Sequence, residues 1–287
     1  MSYTARFTLL FLAFLHQAAS AQGRVRTEYL ESQALGGRAR FHVLLPTGYD
    51  STGSYPVLWL LHGLGGDDST WLRHSEVERY TLRYPMIVVL PAAHHSFYVN
   101  SPVVPNAGYE TFITQELHAA VAQRFAVDTS REAIAGASMG GYGAAVLALR
   151  YPDRYRFAGL IMPVLALPDS MWRGDTVAAA WAVPLVDTAF GPSPSRHRDT
   201  HDPFQLLRAA DSGSLPYFYV TVAQADDLPS SVPMSRRWTD ALRALNVAYE
   251  YHEMPGGHDL ATGDAALPGL LARCWLVITM PRRSPPN

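Results

Sequence analysis

The sequence predicts an α/β fold, a mostly parallel sheet covered by helices. Three observations carry this. Short runs such as Val57-Leu58-Trp59-Leu60-Leu61 and Ile87-Val88-Val89-Leu90 are almost wholly apolar, as suits strands buried on both faces. Segments with apolar residues at helical spacing alternate with them. Gly136-Ala137-Ser138-Met139-Gly140, of the form Gly-x-Ser-x-Gly, joins a β-prone run to an Ala/Leu-rich one, as a strand-to-helix turn does.

Taken in order, strands are predicted at Phe41–Leu45, Val57–Leu61, Met86–Leu90, Ala133–Ala135, Gly159–Ile161, Tyr217–Val222 and Ala248–Tyr251, all short and rich in β-branched or aromatic residues. Helices are predicted over Thr111–Phe125, Tyr142–Arg150 and Met234–Leu245, with a last one inside Leu267–Ile278. From Pro163 to Leu215 the chain is rich in Pro, Asp, Ser and Trp without clean periodicity. It reads as an irregular, lid-like insertion around 163–215.

Residues 1–21 read as an export signal. Arg6 supplies positive charge, Phe7 to Leu15 is a short apolar run, and Ala19-Ser20-Ala21 is a small-x-small cleavage site before Gln22. The apolar run is shorter than the roughly 20 residues that span a bilayer. No stable membrane insertion is therefore expected, and residues 22–287 are left as one catalytic domain in an exported protein. With 48% hydrophobic and 17% charged residues, 287 positions suit a sizeable core. A net charge of −2 gives no reason to expect nucleic acid as a partner.

Every one of the 23 basic residues is arginine. A chain without lysine can form no lysine Schiff base and no Ser-Lys dyad, so a nucleophilic serine must use histidine as its base. Cys274 is the single cysteine, which excludes an internal disulfide; its place in an apolar helical run makes it a core residue.

A serine nucleophile at Ser138 needs a base and an orienting carboxylate, which follow it in the chain order Ser, Asp or Glu, His. After the strand at Tyr217–Val222 come Asp226 and Asp227, and after Ala248–Tyr251 comes Gly256-Gly257-His258. Both places lie just past strand C-termini, where open α/β sheets carry their sites. His258 is the expected base. Asp226 is preferred as the acid, with Asp227 the alternative, because only one of two adjacent carboxylates can readily face the imidazole. The oxyanion donors are expected to be the backbone N–H of Met139, directly after the nucleophile, and that of Leu64 in His62-Gly63-Leu64-Gly65-Gly66, with Gly63 second. His62 precedes the serine and is read as a brace for that loop. His94-His95 lacks companion ligands at useful spacing, so no metal is expected there and the pair is read as lining the substrate mouth.

These pieces resemble the Esterase family of α/β-hydrolases, which includes S-formylglutathione hydrolases (esterase D), tributyrin-type esterases, feruloyl esterases and mycolyltransferases. The resemblance runs from about Phe41 to Leu260. It rests on Tyr55 to Gly66, on Tyr109-Glu110-Thr111-Phe112-Ile113 with Glu116-Leu117, on Gly136 to Ala144 with Tyr151-Pro152-Asp153, and on Pro255-Gly256-Gly257-His258. It implies an α/β-hydrolase fold, a triad at Ser138, Asp226 and His258, an oxyanion hole at Leu64 and Met139, and no cofactor. The expected function is that of a secreted serine carboxylesterase acting on a small-molecule or glycan ester. The alternatives are an acyltransferase of the mycolyltransferase type and a non-catalytic binding module on the same fold. S-formylglutathione hydrolysis is disfavoured, because export removes the protein from a cytosolic substrate.

Overall fold

Eight strands form one sheet in the order β1-β2-β4-β3-β5-β6-β7-β8. The computed structural model describes residues 24–165, 176–228 and 231–281; the expected signal at 1–21 lies outside them. The strands are β1 Val25–Ser32, β2 Gly37–Leu44, β3 Tyr55–Leu61, β4 Ile87–Pro91, β5 Val127–Ala137, β6 Tyr155–Ile161, β7 Tyr217–Ala223 and β8 Tyr249–Met254. Neighbours from β4 across to β8 pair in parallel, while β1 and β2 add an antiparallel edge. This is the mostly parallel α/β architecture that the sequence predicts.

Alternation along the buried strands builds two cores. Val57, Trp59 and Leu61 of β3 point into one, with Val89 and Ile134; Leu58 and Leu60 point into the other, with Val88, Ala133 and Ala135. The first face is covered by α3, which runs as Tyr109–Thr111, a π-helical Phe112–Leu117 and His118–Arg124, and by α4, Met139–Arg150. It is also covered by α8, Ser231–Ala244, whose Trp238 stands edge-on to Phe218. The second face carries α1 Thr70–His74, α2 Val77–Tyr80 and the long α9 Leu260–Thr279, whose Leu267, Leu270, Leu271, Cys274 and Ile278 are buried. Cys274 thus sits in the core, and burial drives its thiol pKa far upward.

Three features depart from the expected elements. β1 goes unseen in sequence because its residues VRTEYLES are mostly half-exposed or exposed; as an edge strand it has one neighbour and little apolar patterning. Helix α9 starts at Leu260 rather than Leu267, because the Asp259 side chain accepts the Thr262 N–H at 2.7 Å and caps the helix upstream of Pro268. The 163–215 segment does interrupt the alternation, yet much of what is described there is helical: α5 Thr176–Phe190, α6 Arg196–Asp199 and α7 Pro203–Ala209. Ala182, Val186, Ala189 and Phe190 are buried at helical spacing, a stripe that Pro184 and Asp187 obscure in sequence.

The insertion is fastened to the body by a buried polar cluster. Glu110 of α3, 3% exposed, accepts hydrogen bonds from Arg150 Nε (2.8 Å), the Tyr151 hydroxyl (2.9 Å) and His201 Nε2 (3.2 Å). The other ring nitrogen of His201 faces the His197 carbonyl at 2.8 Å, and the Tyr142 hydroxyl donates to the His201 carbonyl at 2.6 Å. Burial pushes the Glu110 pKa up, but hydrogen bonds from His201 and Arg150, with the Arg150 charge, outweigh it and hold the carboxyl at about 2. Because this carboxyl titrates lower folded than unfolded, its contribution to stability is complete above its ordinary value of 4.5 and is lost as pH falls towards 2. Glu110→Gln is expected to cost about 2 kcal/mol at neutral pH, since it removes a buried carboxylate charge that accepts hydrogen bonds from Arg150, Tyr151 and His201. It should also flatten the acid limb of the stability curve. Denaturant unfolding of both proteins between pH 3 and 7 checks this; parallel acid limbs would contradict it.

Candidate active site

The turn at Ser138 follows from steric necessity at two glycines. Ser138 ends β5 and begins α4 with φ 56 and ψ −116, a conformation rare for a residue with a side chain. Its N–H donates to the Ile161 carbonyl of β6 at 2.9 Å, and its own carbonyl accepts the Tyr142 N–H at 3.0 Å, which closes the first turn of α4. A Cβ at Gly136 would lie 2.5 Å from the Gly140 backbone, and one at Gly140 would lie 2.5 Å from the Leu61 carbonyl oxygen. The Gly-x-Ser-x-Gly spacing therefore reflects a turn so sharp that the flanking residues meet each other and β3. The strain at Ser138 is of the kind held in place at functional sites.

His258 and Asp226 arrive from the C-terminal ends of β8 and β7. His258 Nε2 lies 2.8 Å from Ser138 Oγ, and Nδ1 lies 2.9 Å from Asp226 Oδ2. A carboxylate can only accept, so the proton between them sits on Nδ1, and Nε2 is left to accept from the serine hydroxyl. The Asp226 side chain is fully buried and that of His258 is 15% exposed. Burial pushes the Asp226 pKa up, yet hydrogen bonds from His258, Ser231 and the Leu228 N–H keep it below the usual carboxylate value. Asp227, the alternative acid, is exposed and makes no bond to His258.

The loops after β7 and β8 lock each other: the Gln224 N–H donates to the Met254 carbonyl (2.8 Å) and the Ala225 N–H to the Gly256 carbonyl (3.0 Å). That coupling holds Asp226 close to His258. Gly256, at φ 122, makes the turn that a side chain would obstruct, since a Cβ there would stand 2.2 Å from Thr262 Oγ1.

Beside Ser138 stands the loop after β3. Met139 occupies the first helical position of α4, where an N–H has no acceptor within the helix. Gly63 passes the turn closely enough that a Cβ there would contact Ser138 Cβ at 3.5 Å. His62 braces this loop, as expected from its place in the chain. Its Nδ1 bonds the Gly63 carbonyl at 2.7 Å and its Nε2 accepts the Ala93 N–H at 2.9 Å. Those partners require a neutral ring protonated on Nδ1, and burial lowers the His62 pKa in the same direction. Trp71 Nε1 on the Leu61 carbonyl (3.0 Å), the Tyr98 hydroxyl on the His62 carbonyl (2.7 Å) and the Arg40 fork on buried Asp68 (2.8 Å twice) hold the rest of the loop.

His94 and His95 are exposed on the loop after β4, with His94 edge-on to Tyr109. Among the described residues no group of three His, Cys, Asp or Glu side chains converges as a metal site would require. Ser231 was not foreseen. The signal for it was present, a serine at the start of a helical pattern five residues after Asp226, but the periodicity of α8 first becomes clear at Met234.

Residues 32–274 match the model of a family described as "Putative esterase". Among curated proteins, the chain is 28% identical over 253 residues to Esterase Rv1288 of Mycobacterium tuberculosis, covering 79% of this chain. It is also 28% identical over 169 residues to an S-formylglutathione hydrolase of Paracoccus denitrificans, covering 52% of this chain. The chain spans 54% of the first relative's length and 60% of the second's. Among solved structures, FphF, a Staphylococcus aureus fluorophosphonate-binding serine hydrolase, superposes with a TM-score of 0.76 at 27% identity, over 88% of this chain and 98% of that one.

Proposed function

Since the chain belongs to this Esterase family, we propose that it is a secreted serine carboxylesterase working through Ser138, His258 and Asp226. The observation that carries the reading is the unbroken run of hydrogen bonds from Asp226 through His258 to a strained, strand-end Ser138. In the proposed cycle Ser138 Oγ attacks the ester carbonyl carbon while His258 Nε2 takes its proton. The carbonyl oxygen becomes an oxyanion held by the Leu64 and Met139 N–H groups. The C–O bond to the alcohol breaks as His258 returns the proton to the leaving oxygen. Water then attacks the acyl-serine by the same route and frees the acid. Asp226 stays ionised and keeps the imidazole in the tautomer that faces the serine.

No cofactor enters this scheme. The substrates it suits are short-chain acyl, aryl or sugar esters. Export of a mature catalytic domain, residues 22–287, is part of the proposal and rests on the Arg6, Phe7–Leu15 and Ala19-Ser20-Ala21 pattern. Titration with a fluorophosphonate, followed by mass spectrometry of the digest, tests the catalytic assignment. One adduct per chain on the peptide carrying Ser138, formed in step with loss of esterase activity, is the expected result. A native protein that stays unlabelled, or is labelled elsewhere, would overturn it and favour the non-catalytic binding module.

A further inference from the structure

Asp226 receives two donors besides the His258 N–H on which the relay to Ser138 depends. Its Oδ1 accepts the Leu228 N–H at 2.9 Å. Its Oδ2 accepts two groups: His258 Nδ1 at 2.9 Å and the Ser231 hydroxyl at 2.7 Å. A carboxylate cannot donate, so the Ser231 proton points at Oδ2. Ser231 is 3% exposed, begins α8 and is itself fixed by its N–H on the Leu228 carbonyl at 2.9 Å. The fully buried carboxylate is thus pinned at both oxygens by groups other than the histidine, one of them the first residue of a helix that packs on β7.

We propose that Ser231 is a positioning residue of this site, its hydroxyl holding Asp226 Oδ2 against His258 and tempering the charge that the imidazole feels. The proposal rests on the catalytic reading of Ser138, Asp226 and His258. Two physical effects follow from the shared oxygen. With Ser231 present, rotation of the carboxylate about Cβ–Cγ would break bonds at both oxygens, so the relay geometry is held without drawing on substrate binding. The hydroxyl also draws electron density from the oxygen that supports the imidazolium. Its removal leaves that oxygen more negative, and the imidazole then keeps its second proton to higher pH.

Among the described residues, two charged groups lie near the imidazole. Asp226 faces it from the loop after β7, and Asp259 adjoins it on the loop after β8, its carboxylate already engaged as the α9 cap. Ser138 faces it from α4 as a neutral hydroxyl.

The test is the pH profile of kcat/KM for p-nitrophenyl acetate in the intact protein carrying Ser231→Ala, Ser231→Cys or Ser231→Thr. Ser231→Ala is expected to lower kcat by about 10- to 100-fold, the worth of a hydrogen bond to a charged group. KM should change little. The acid limb of the profile should move to higher pH by about half a unit. Ser231→Cys keeps the volume but offers a weak donor, and it should show both changes in the same direction at smaller size. Ser231→Thr retains the hydroxyl and should restore the limb. A limb that stays in place in both Ser231→Ala and Ser231→Cys overturns the proposal, whatever happens to kcat, because a purely structural serine would lower activity without moving it. Ser138→Ala assayed alongside separates the two levels. Activity surviving there overturns the catalytic reading, whereas an unmoved limb with Ser138 essential overturns the role of Ser231 alone.

Discussion

Ser138→Ala should lower the turnover of short-chain p-nitrophenyl esters by about 10⁶, the scale on which a hydrolase triad loses activity with its nucleophile. The substitution removes one oxygen and nothing else. Alanine has the same Cβ as serine, so the φ 56 turn that accommodates Ser138 accommodates it equally, and the glycines at 136 and 140 keep their clearance. His258 Nε2 then has no hydroxyl to deprotonate, and the hydrogen bond at 2.8 Å disappears. Residual hydrolysis comes from binding and from the oxyanion donors acting on water. The measurement is kcat on a variant whose far- and near-ultraviolet circular dichroism match the parent. Turnover within tenfold of the parent would remove Ser138 from the mechanism.

Asp226→Asn is expected to lower kcat by about 10⁴, the loss seen when a triad acid becomes an amide and the histidine takes the wrong tautomer. Here the surroundings make the amide a poor guest in either orientation. Both carboxylate oxygens receive N–H or O–H donors: Leu228 on Oδ1, and Ser231 and His258 on Oδ2. An NH2 group must therefore face a donor whichever way it turns. Turned towards His258, it asks Nδ1 to accept, which moves the ring proton to Nε2 and leaves Ser138 without a base. Asp227→Asn should stay within about twofold of the parent, since that carboxylate is exposed and bonds neither His258 nor Ser138. Kinetics of the two variants side by side decide the matter. If Asp227→Asn is the crippled one, the acid has been assigned to the wrong residue.

What could be read from the chain alone was whatever short-range sterics and patterning dictate. Seven of the eight strands and the Gly-x-Ser-x-Gly turn are local statements. An apolar run of five residues is a buried strand wherever it pairs, and Gly136 is set by its 2.5 Å clearance to Gly140 within one turn, whereas Gly140 is set by the Leu61 carbonyl of β3. His258 was visible because Gly256-Gly257 presents it after the last strand, and the absence of lysine left histidine as the base for a serine. Tertiary structure decided the rest. Asp226 and Asp227 are chemically identical neighbours, and no local rule ranks them. Which of them faces His258 is set by the β7 and β8 loops bonding to each other and by α8 bringing Ser231 onto Asp226. The same holds for β1, whose polar residues become a strand when β2 lies beside them, and for Glu110, which finds His201 91 residues away. A sequence specifies its turns and apolar faces over a few residues, whereas a buried charge is matched by partners that only folding brings near, because the low dielectric that demands the partner is itself a product of the packing.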